Sequence, residues 1–350
     1  MSRRINALVV FTLLFAVSAL AAPVVSTILP VQGSAGGGTV VTIKGTGFST
    51  CVVCSPPSPP EVFFGTTPAA SVTLVNETTI EAVTPPHPAG SVTVTVFQFD
   101  GTSSLENAFT FTGDYLNALE PILVPVFSPP VLGQFGSDFR TTVRASHEGG
   151  GSGRILLFGL DTSCFLFAPV LGPLDARAIE PNGETYELQP DCSTWPAKLF
   201  YVPAGRADEI TLNARVRDVS RADLSHGTEI PIVRLSDFST DRVVLLNVPI
   251  DPRFRNTLRI YSLIEGSVTV TVDSHEHEVT LQRGKDEFEP PYAMFTDFPA
   301  ILEPGRPDSV RVVVRPNTPI TSPPSPTPPI WAFVSVTNNV TQEITTVTPD

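Results

Sequence analysis

The chain is punctuated too often to build long helices. Its 36 prolines and 24 glycines interrupt almost every apolar run. A proline inside a helix removes a backbone hydrogen bond and clashes with the preceding turn, at a cost of about 3 kcal/mol. The pieces that survive are rich in Val, Thr and Phe, which suit pleated backbone. Val92, Val94 and Val96 alternate with Thr93 and Thr95, so one face of that segment is apolar and the other wettable. Leu212, Ala214 and Val216 alternate with Asn213, Arg215 and Arg217 in the same way, and Ser267 to Asp273 repeats the pattern. Ile155 to Phe158 and Cys164 to Phe167 are apolar throughout, as expected of strands covered on both faces. Trp331 to Thr337 also carries apolar residues on both faces, and Trp331 and Phe333 are expected in the core. The reading is an all-β chain of tandem immunoglobulin-like β-sandwich domains.

The ends and the charge bear on where such a chain works. Arg3 and Arg4 precede an apolar run from Ile5 to Ala19, and small residues close it at Ala19-Leu20-Ala21. This is the pattern of a secretory signal peptide over residues 1–21, cleaved after Ala21. The run is shorter than the roughly 20 apolar residues of a membrane span. The final Val347-Thr348-Pro349-Asp350 has neither an apolar tail nor a basic cluster, which points to free secretion or non-covalent retention at the envelope. The formal net charge of −13 argues against nucleic acid and anionic lipid as partners.

Four cysteines suit an oxidising compartment. Of the three possible connectivities, local pairing of Cys51 with Cys54 and of Cys164 with Cys192 is favoured. A redox-active Cys-x-x-Cys should open a helix; here Ser55-Pro56-Pro57-Ser58-Pro59-Pro60 follows, and a loop staple is expected.

The first 90 or so residues after the leader have the marks of one sandwich of about seven strands. A Gly-rich stretch from Gly36 to Gly38 leads into Thr39 and allows positive φ in a tight turn. Phe48, Phe63 and Phe109 are the expected large core residues. Residues 23–112 resemble the IPT/TIG family of immunoglobulin-like domains. The likeness is carried by Ile28-Leu29-Pro30, Gly36-Gly37-Gly38-Thr39, Thr42-Ile43-Lys44-Gly45 with Gly47-Phe48, Phe64-Gly65, Thr84-Pro85-Pro86 and Phe109-Thr110-Phe111. A Cys- and Pro-rich insertion from Ser49 to Pro60 departs from the family's usual shorter loop. The resemblance implies a fold and no particular activity, since such modules serve as receptor parts, dimerisation domains and non-catalytic spacers. Lys44 is the module's only Lys or Arg, which leaves it almost nothing to grip a phosphate backbone.

Beyond a junction at Gly113 to Asn117, three echoes recur at a separation of about 115 positions. Phe139-Arg140-Thr141-Thr142-Val143-Arg144 is echoed by Phe254-Arg255-Asn256-Thr257-Leu258-Arg259. Ala214 to Arg217 is echoed by Ala332 to Ser335, and Thr228-Glu229-Ile230 by Gln342-Glu343-Ile344. They predict two β-sandwich units, residues 121–235 and 236–350, the second a repeat of the first, after a module over residues 22–113. This part resembles uncharacterised secreted bacterial β-domains, a likeness that implies no site. The proline run from Thr321 to Pro329 reads as a stiff polyproline II connection, and Trp195 reads as cover for the second cysteine pair.

Candidate chemistry is sparse. His275 and His277 would share one face of a strand with Asp273, too few ligands from one element for a zinc site; a solvated face is the expectation, and no metal or cofactor is assigned. Gly150-Gly151-Ser152-Gly153 lacks the closing glycine and the helix of a nucleophile elbow. Asp286, Glu287 and Glu289 form an acidic cluster that could serve a glycosidase only with a geometry that sequence does not give. Arg140 and Arg144 share a face and are echoed by Arg255 and Arg259; guanidinium groups in such a set match carboxylates or sulfates of an acidic polymer, against surface ion pairing as the plainer reading. No catalytic residue is assigned. The expected function is a secreted, non-catalytic binding or adhesion protein of the bacterial cell surface, engaging an extracellular polysaccharide or surface protein. A secreted hydrolase with its catalytic domain in residues 121–350, and a structural envelope component, are the alternatives.

Overall fold

A computed structural model describes residues 22–51, 59–133, 136–147, 154–159, 176–181, 183–188, 197–221, 226–272, 275–284, 288–296, 308–318 and 326–349. The expected leader, Cys54, Cys164, Cys192, Trp195, the Gly150 to Gly153 turn, Asp273, Asp286 and Glu287 lie outside the described residues. Cys51 lies inside them and is not a free thiol. The regular structure of the described chain is almost all strands, and its helical turns are 3-10 turns of three residues.

The first sandwich comprises β1 (Val24–Leu29), β2 (Gln32–Ser34), β3 (Val40–Thr46), β4 (Glu61–Phe64), β5 (Thr67–Pro68), β6 (Ser71–Asn76), β7 (Thr79–Val83), β8 (Gly90–Gln98) and β9 (Gly101–Thr112). One sheet has the order β1-β3-β7-β6 and the other β2-β9-β8-β4-β5. Val41, Ile43, Phe48, Ile80, Val94, Val96, Phe109 and Phe111 fill the space between them. The alternation read at Val94 and Val96 holds, whereas Val92 is only half-buried, next to a break in the β8–β9 register. Phe63 is a correction: the pleat of β4 turns Val62 and Phe64 inward and leaves Phe63 half-buried. Two adjacent phenylalanines cannot share a face of a strand, and Phe64 is the one that meets Phe109 edge-on, with ring centroids 5.4 Å apart.

The second sandwich runs through β10 (Leu119–Val124), β11 (Val131–Leu132), β12 (Asp138–His147), β13 (Ile155–Phe158), β14 (Ala176–Ile179), β15 (Tyr186–Leu188), β16 (Lys198–Pro203), β17 (Ile210–Asp218), β18 (Thr228–Ile230) and β19 (Val233–Arg234). The third runs through β20 (Val243–Pro249), β21 (Phe254–Ser262), β22 (Ser267–Val272), β23 (His275–Thr280), β24 (Tyr292–Thr296), β25 (Ser309–Pro316), β26 (Ile330–Asn338) and β27 (Ile344–Val347). Each strand of the third sandwich has a counterpart in the second, which adds β11 at the start of β12 and β19 at a sheet edge. The order β14-β13-β16-β10 corresponds to β23-β22-β25-β20, with β19 added at one edge of the former. In the opposing sheets, β12 lies between β15 and β17, and β17 lies next to β18; β21 lies between β24 and β26, and β26 lies next to β27. The first two sequence echoes fall on corresponding strands, β12 with β21 and β17 with β26; of the third, Thr228 to Ile230 forms β18, whereas only Ile344 reaches β27, Gln342 and Glu343 lying in the turn before it. The registers of the first two differ: Ala214 lies opposite Val143, while the strand position opposite Leu258 is Val334, two residues past Ala332.

The second and third sandwiches meet sheet on sheet. The inward faces of β10, β13 and β16 supply Ile122, Ile155, Leu157 and Phe200 to their own core. The outward faces supply Leu123 and Leu199, which pack on Tyr261, Trp331 and Phe333 of the third sandwich, while Leu156 and Phe158 pack on Phe288. The Tyr261 hydroxyl donates to the Pro125 carbonyl at 2.5 Å, and the Leu199 N–H donates to the Phe288 carbonyl at 2.8 Å. Trp331 and Phe333 are buried as expected, but against the neighbouring sandwich and not inside their own, whose core takes Ile330, Ala332, Val334 and Val336. This is why the strand reads as apolar on both faces. The first sandwich touches the second through Arg154, which donates two hydrogen bonds to the Ala69 carbonyl, at 3.1 and 2.6 Å.

Candidate functional site

The sheet of β12, β15, β17 and β18 has one face on the core of the second sandwich and the other exposed. Strand alternation sends Val143, Ala145, Leu212, Ala214 and Val216 inward. It therefore sends Arg140, Thr142, Arg144 and Ser146 outward on β12, and Thr211, Asn213, Arg215 and Arg217 outward on β17. The antiparallel register places Arg140 opposite Arg217, Thr142 opposite Arg215, Arg144 opposite Asn213 and Ser146 opposite Thr211. Glu187 on β15 lies opposite Arg144, and Glu229 on β18 lies opposite Arg215. Two clefts open on this face, of about 470 and 410 Å³, and Arg144, Glu187 and Asn213 line both.

Ion pairing on the face is loose except at one end. Arg140 binds Asp138 at 3.0 Å. Arg144 and Glu187 are 3.8 Å apart, Arg215 and Glu229 4.0 Å. Arg215 also donates to the His226 carbonyl at 3.1 Å, and the Asn213 amide donates to Glu229 at 2.8 Å. The Arg217 guanidinium is exposed and meets no acceptor among the described residues. Asp218, buried at the end of β17, anchors the start of β12: its Oδ1 accepts from the Asp138 N–H at 3.0 Å and from the Ser220 hydroxyl at 2.6 Å. Burial alone would raise its pKa, but these hydrogen bonds outweigh burial and hold the carboxyl below its ordinary value.

The four arginines singled out in sequence are not brought together. Arg140 and Arg144 are on the open face as expected. Arg255 instead ties down the β26–β27 turn, donating to Asn339 at 2.8 Å and to Gln342 at 3.0 Å. Arg259 lies on the face covered by the second sandwich, donating to Ser335 at 2.5 Å with its guanidinium carbon 5.6 Å from the Phe333 ring centre. The arginines that share this face with Arg140 and Arg144 are Arg217, directly opposite Arg140, and Arg215, opposite Thr142. The signal for them was the outward phase of Asn213, Arg215 and Arg217, but only strand pairing shows that this phase adjoins Arg140.

His275 and His277 lie opposite Val272 and Val270 on one face of β23, exposed at its edge, with Glu276 and Glu278 on the other face. Among the described residues no group of three or more His, Cys, Asp or Glu side chains is placed to hold a metal ion. Glu289 is buried beside Leu199, Tyr201 and Leu263 in a cleft of about 700 Å³ at the junction of the second and third sandwiches. Among the described residues no helix is long and apolar enough to cross a membrane.

The model of the IPT/TIG domain matches residues 23–112, so the first sandwich is an IPT/TIG domain. An ankyrin and IPT/TIG repeat-containing protein of Schizosaccharomyces pombe is 35% identical over 113 residues, covering 32% of this chain and only 9% of its own length. Among solved structures, a gamma-CGTase from Alkalophilic bacillus clarkii aligns at 19% identity over 62% of this chain and 26% of its own, with a TM-score of 0.23. SGBP-B from a complex xyloglucan utilization locus in Bacteroides uniformis aligns at 10% identity over 93% and 73%, with a TM-score of 0.20. TM-scores this low describe no shared overall arrangement.

Proposed function

We propose, from an IPT/TIG module at residues 23–112 set before two sandwiches of matching strand order, that the protein is a secreted, non-catalytic binding or adhesion protein that engages an extracellular polymer or a cell-surface partner. Residues 1–21 are its export signal, and residues 121–235 and 236–350 are tandem copies of one unit. The observation that carries the reading is the open polar face of β12 and β17. It offers hydroxyls, an amide and guanidinium groups in a ladder, over clefts of the size that small ligands or polymer segments occupy.

A pull-down of residues 22–350 against a panel of insoluble polysaccharides and cell envelopes, with released sugar assayed in the same tubes, tests it. Retention without released sugar is the expected result. Release of soluble sugar would overturn the reading in favour of a hydrolase seated in residues 121–350, and neither retention nor release would favour a protein partner or a structural envelope role.

A further inference from the structure

On the binding-protein reading above, we infer that the open face of β12 and β17 takes an acidic polysaccharide, with carboxylate or sulfate groups held by Arg140, Arg144, Arg215 and Arg217. The molecule contains its own control. The third sandwich presents the corresponding face to the second, and there the equivalent ladder is Arg255 opposite Thr337, Thr257 opposite Ser335, Arg259 opposite Phe333 and Tyr261 opposite Trp331. Where that sheet position is covered, its far end is aromatic. Where it is open, Ser146, Thr211 and Asn213 stand in place of Tyr261, Trp331 and Phe333. Exposure explains that exchange, because large apolar side chains would otherwise face water. It does not explain Arg215 and Arg217, since the covered copy has Ser335 and Thr337 there and both would serve an exposed strand.

Arg217 is also placed at a cost. Residues directly opposite in an antiparallel pair have Cα atoms about 4.5–5.5 Å apart, and like charges there are destabilising. Arg217 lies directly opposite Arg140, whose own partner is Asp138. Arg215 lies about 7 Å along the same strand face. The face thus gathers four guanidinium groups against Asp138, Glu187 and Glu229 in a chain with 35 acidic and 22 basic residues. An anion seated between Arg140 and Arg217 relieves their repulsion and accepts bidentate hydrogen bonds from planar donors.

The accompanying groups favour a saccharide over a nucleic acid. Thr142, Ser146, Thr185, Thr211 and Asn213 offer hydroxyl and amide partners for sugar hydroxyls, and among the described residues no Phe, Tyr or Trp lines either cleft to stack on a base. A duplex carries one charge per about 1.7 Å, denser than a polyuronate with a single carboxylate on each sugar, and the −13 net charge repels it more strongly.

The test is affinity electrophoresis of residues 22–350 in gels holding polygalacturonate, dextran sulfate or unmodified dextran, with a double-stranded DNA arm in solution. Each arm is repeated with Arg217→Ser and with Arg215→Ser/Arg217→Ser, alongside ligand-free thermal unfolding. Retardation by polygalacturonate or dextran sulfate but not by dextran is expected, weakening as salt is raised. Affinity should drop at least tenfold in the double variant, while its ligand-free Tm stays level or rises. The carboxylate and sulfate gels show which anion is the better match. Unchanged retardation of the double variant, or tighter binding to DNA than to either acidic glycan, would overturn the inference. Retardation by plain dextran alone would overturn the ligand class and leave the binding-protein reading standing, whereas no binding in any gel or to envelopes would remove both.

Discussion

At the scale of single residues, position in the pleat decides what an arginine can do. Arg140 and Arg259 both lie on outward faces of central strands, yet one meets solvent and the other an aromatic interface. The sequence places each on a face correctly; whether another sheet covers that face depends on contacts between sandwiches, which no local pattern encodes. Asp218 is a second case. Its hydrogen bonds to the Asp138 N–H and to Ser220 fix the start of β12 beside Arg140, and nothing in the spacing of Asp138 and Asp218 announces it. Because its folded-state pKa is depressed, it contributes stability that is fully present above the ordinary aspartate pKa of about 4. That contribution is lost as pH falls through the lower folded value. Asp218→Asn should therefore lower stability by about 1 kcal/mol at pH 7, and the urea midpoints of variant and wild type should converge below pH 4. A constant gap at all pH values would show that the charge is not involved.

At the scale of elements, alternation is the most legible signal and its phase the most fragile. It placed Val94, Val96, Leu212, Ala214 and Val216 inward as observed, and it slipped at the Phe63-Phe64 pair, where two large apolar neighbours give the period no reference. The glycines before Thr39 were readable because their geometry is local. Gly37 and Gly38 have φ of 79° and 80°. A Cβ on Gly37 would lie 2.6 Å from the Pro85 carbonyl carbon, so Gly37→Ala combines a strained backbone with a clash. It should destabilise the IPT/TIG module by more than about 1 kcal/mol, seen as a lower midpoint for that module's unfolding with the remaining sandwiches unchanged. The echoes between Phe139 and Phe254 and between their neighbours were legible for a related reason: each marks a central strand whose inward residues are fixed by the same kind of core. Their registers differ by two residues although both ladders run without a bulge.

At the scale of the whole molecule, one sheet geometry is used in two ways. In the third sandwich the outer face of β21 and β26 becomes an interface, through Tyr261, Trp331 and Phe333; in the second the matching face of β12 and β17 stays open. An interface in which Phe333 packs on Leu123 and Leu199 is expected to couple the unfolding of the two sandwiches. Phe333→Ala should cost about 3–5 kcal/mol and lower the unfolding midpoint of both sandwiches together; two separated transitions, with only the third shifted, would show that the contact is incidental. Tyr261→Phe, which leaves the Pro125 carbonyl unpaired in the same interface, should cost about 1–3 kcal/mol in the same joint transition. The apolar pattern on both faces of Trp331 to Thr337 hinted at this contact. What it could not show was which sheet would provide the other half.

The most direct measurement is the reactivity of individual arginines toward phenylglyoxal, read by mass spectrometry in the free protein and with polygalacturonate present. If one sheet face is open for binding and its counterpart is covered, Arg144 and Arg217 modify quickly when free and are shielded by the polymer, while Arg259 stays unmodified in both. Equal reactivity of Arg259 and Arg217 in the free protein, or no shielding of Arg144 and Arg217 by a polymer that the protein retains, would contradict it.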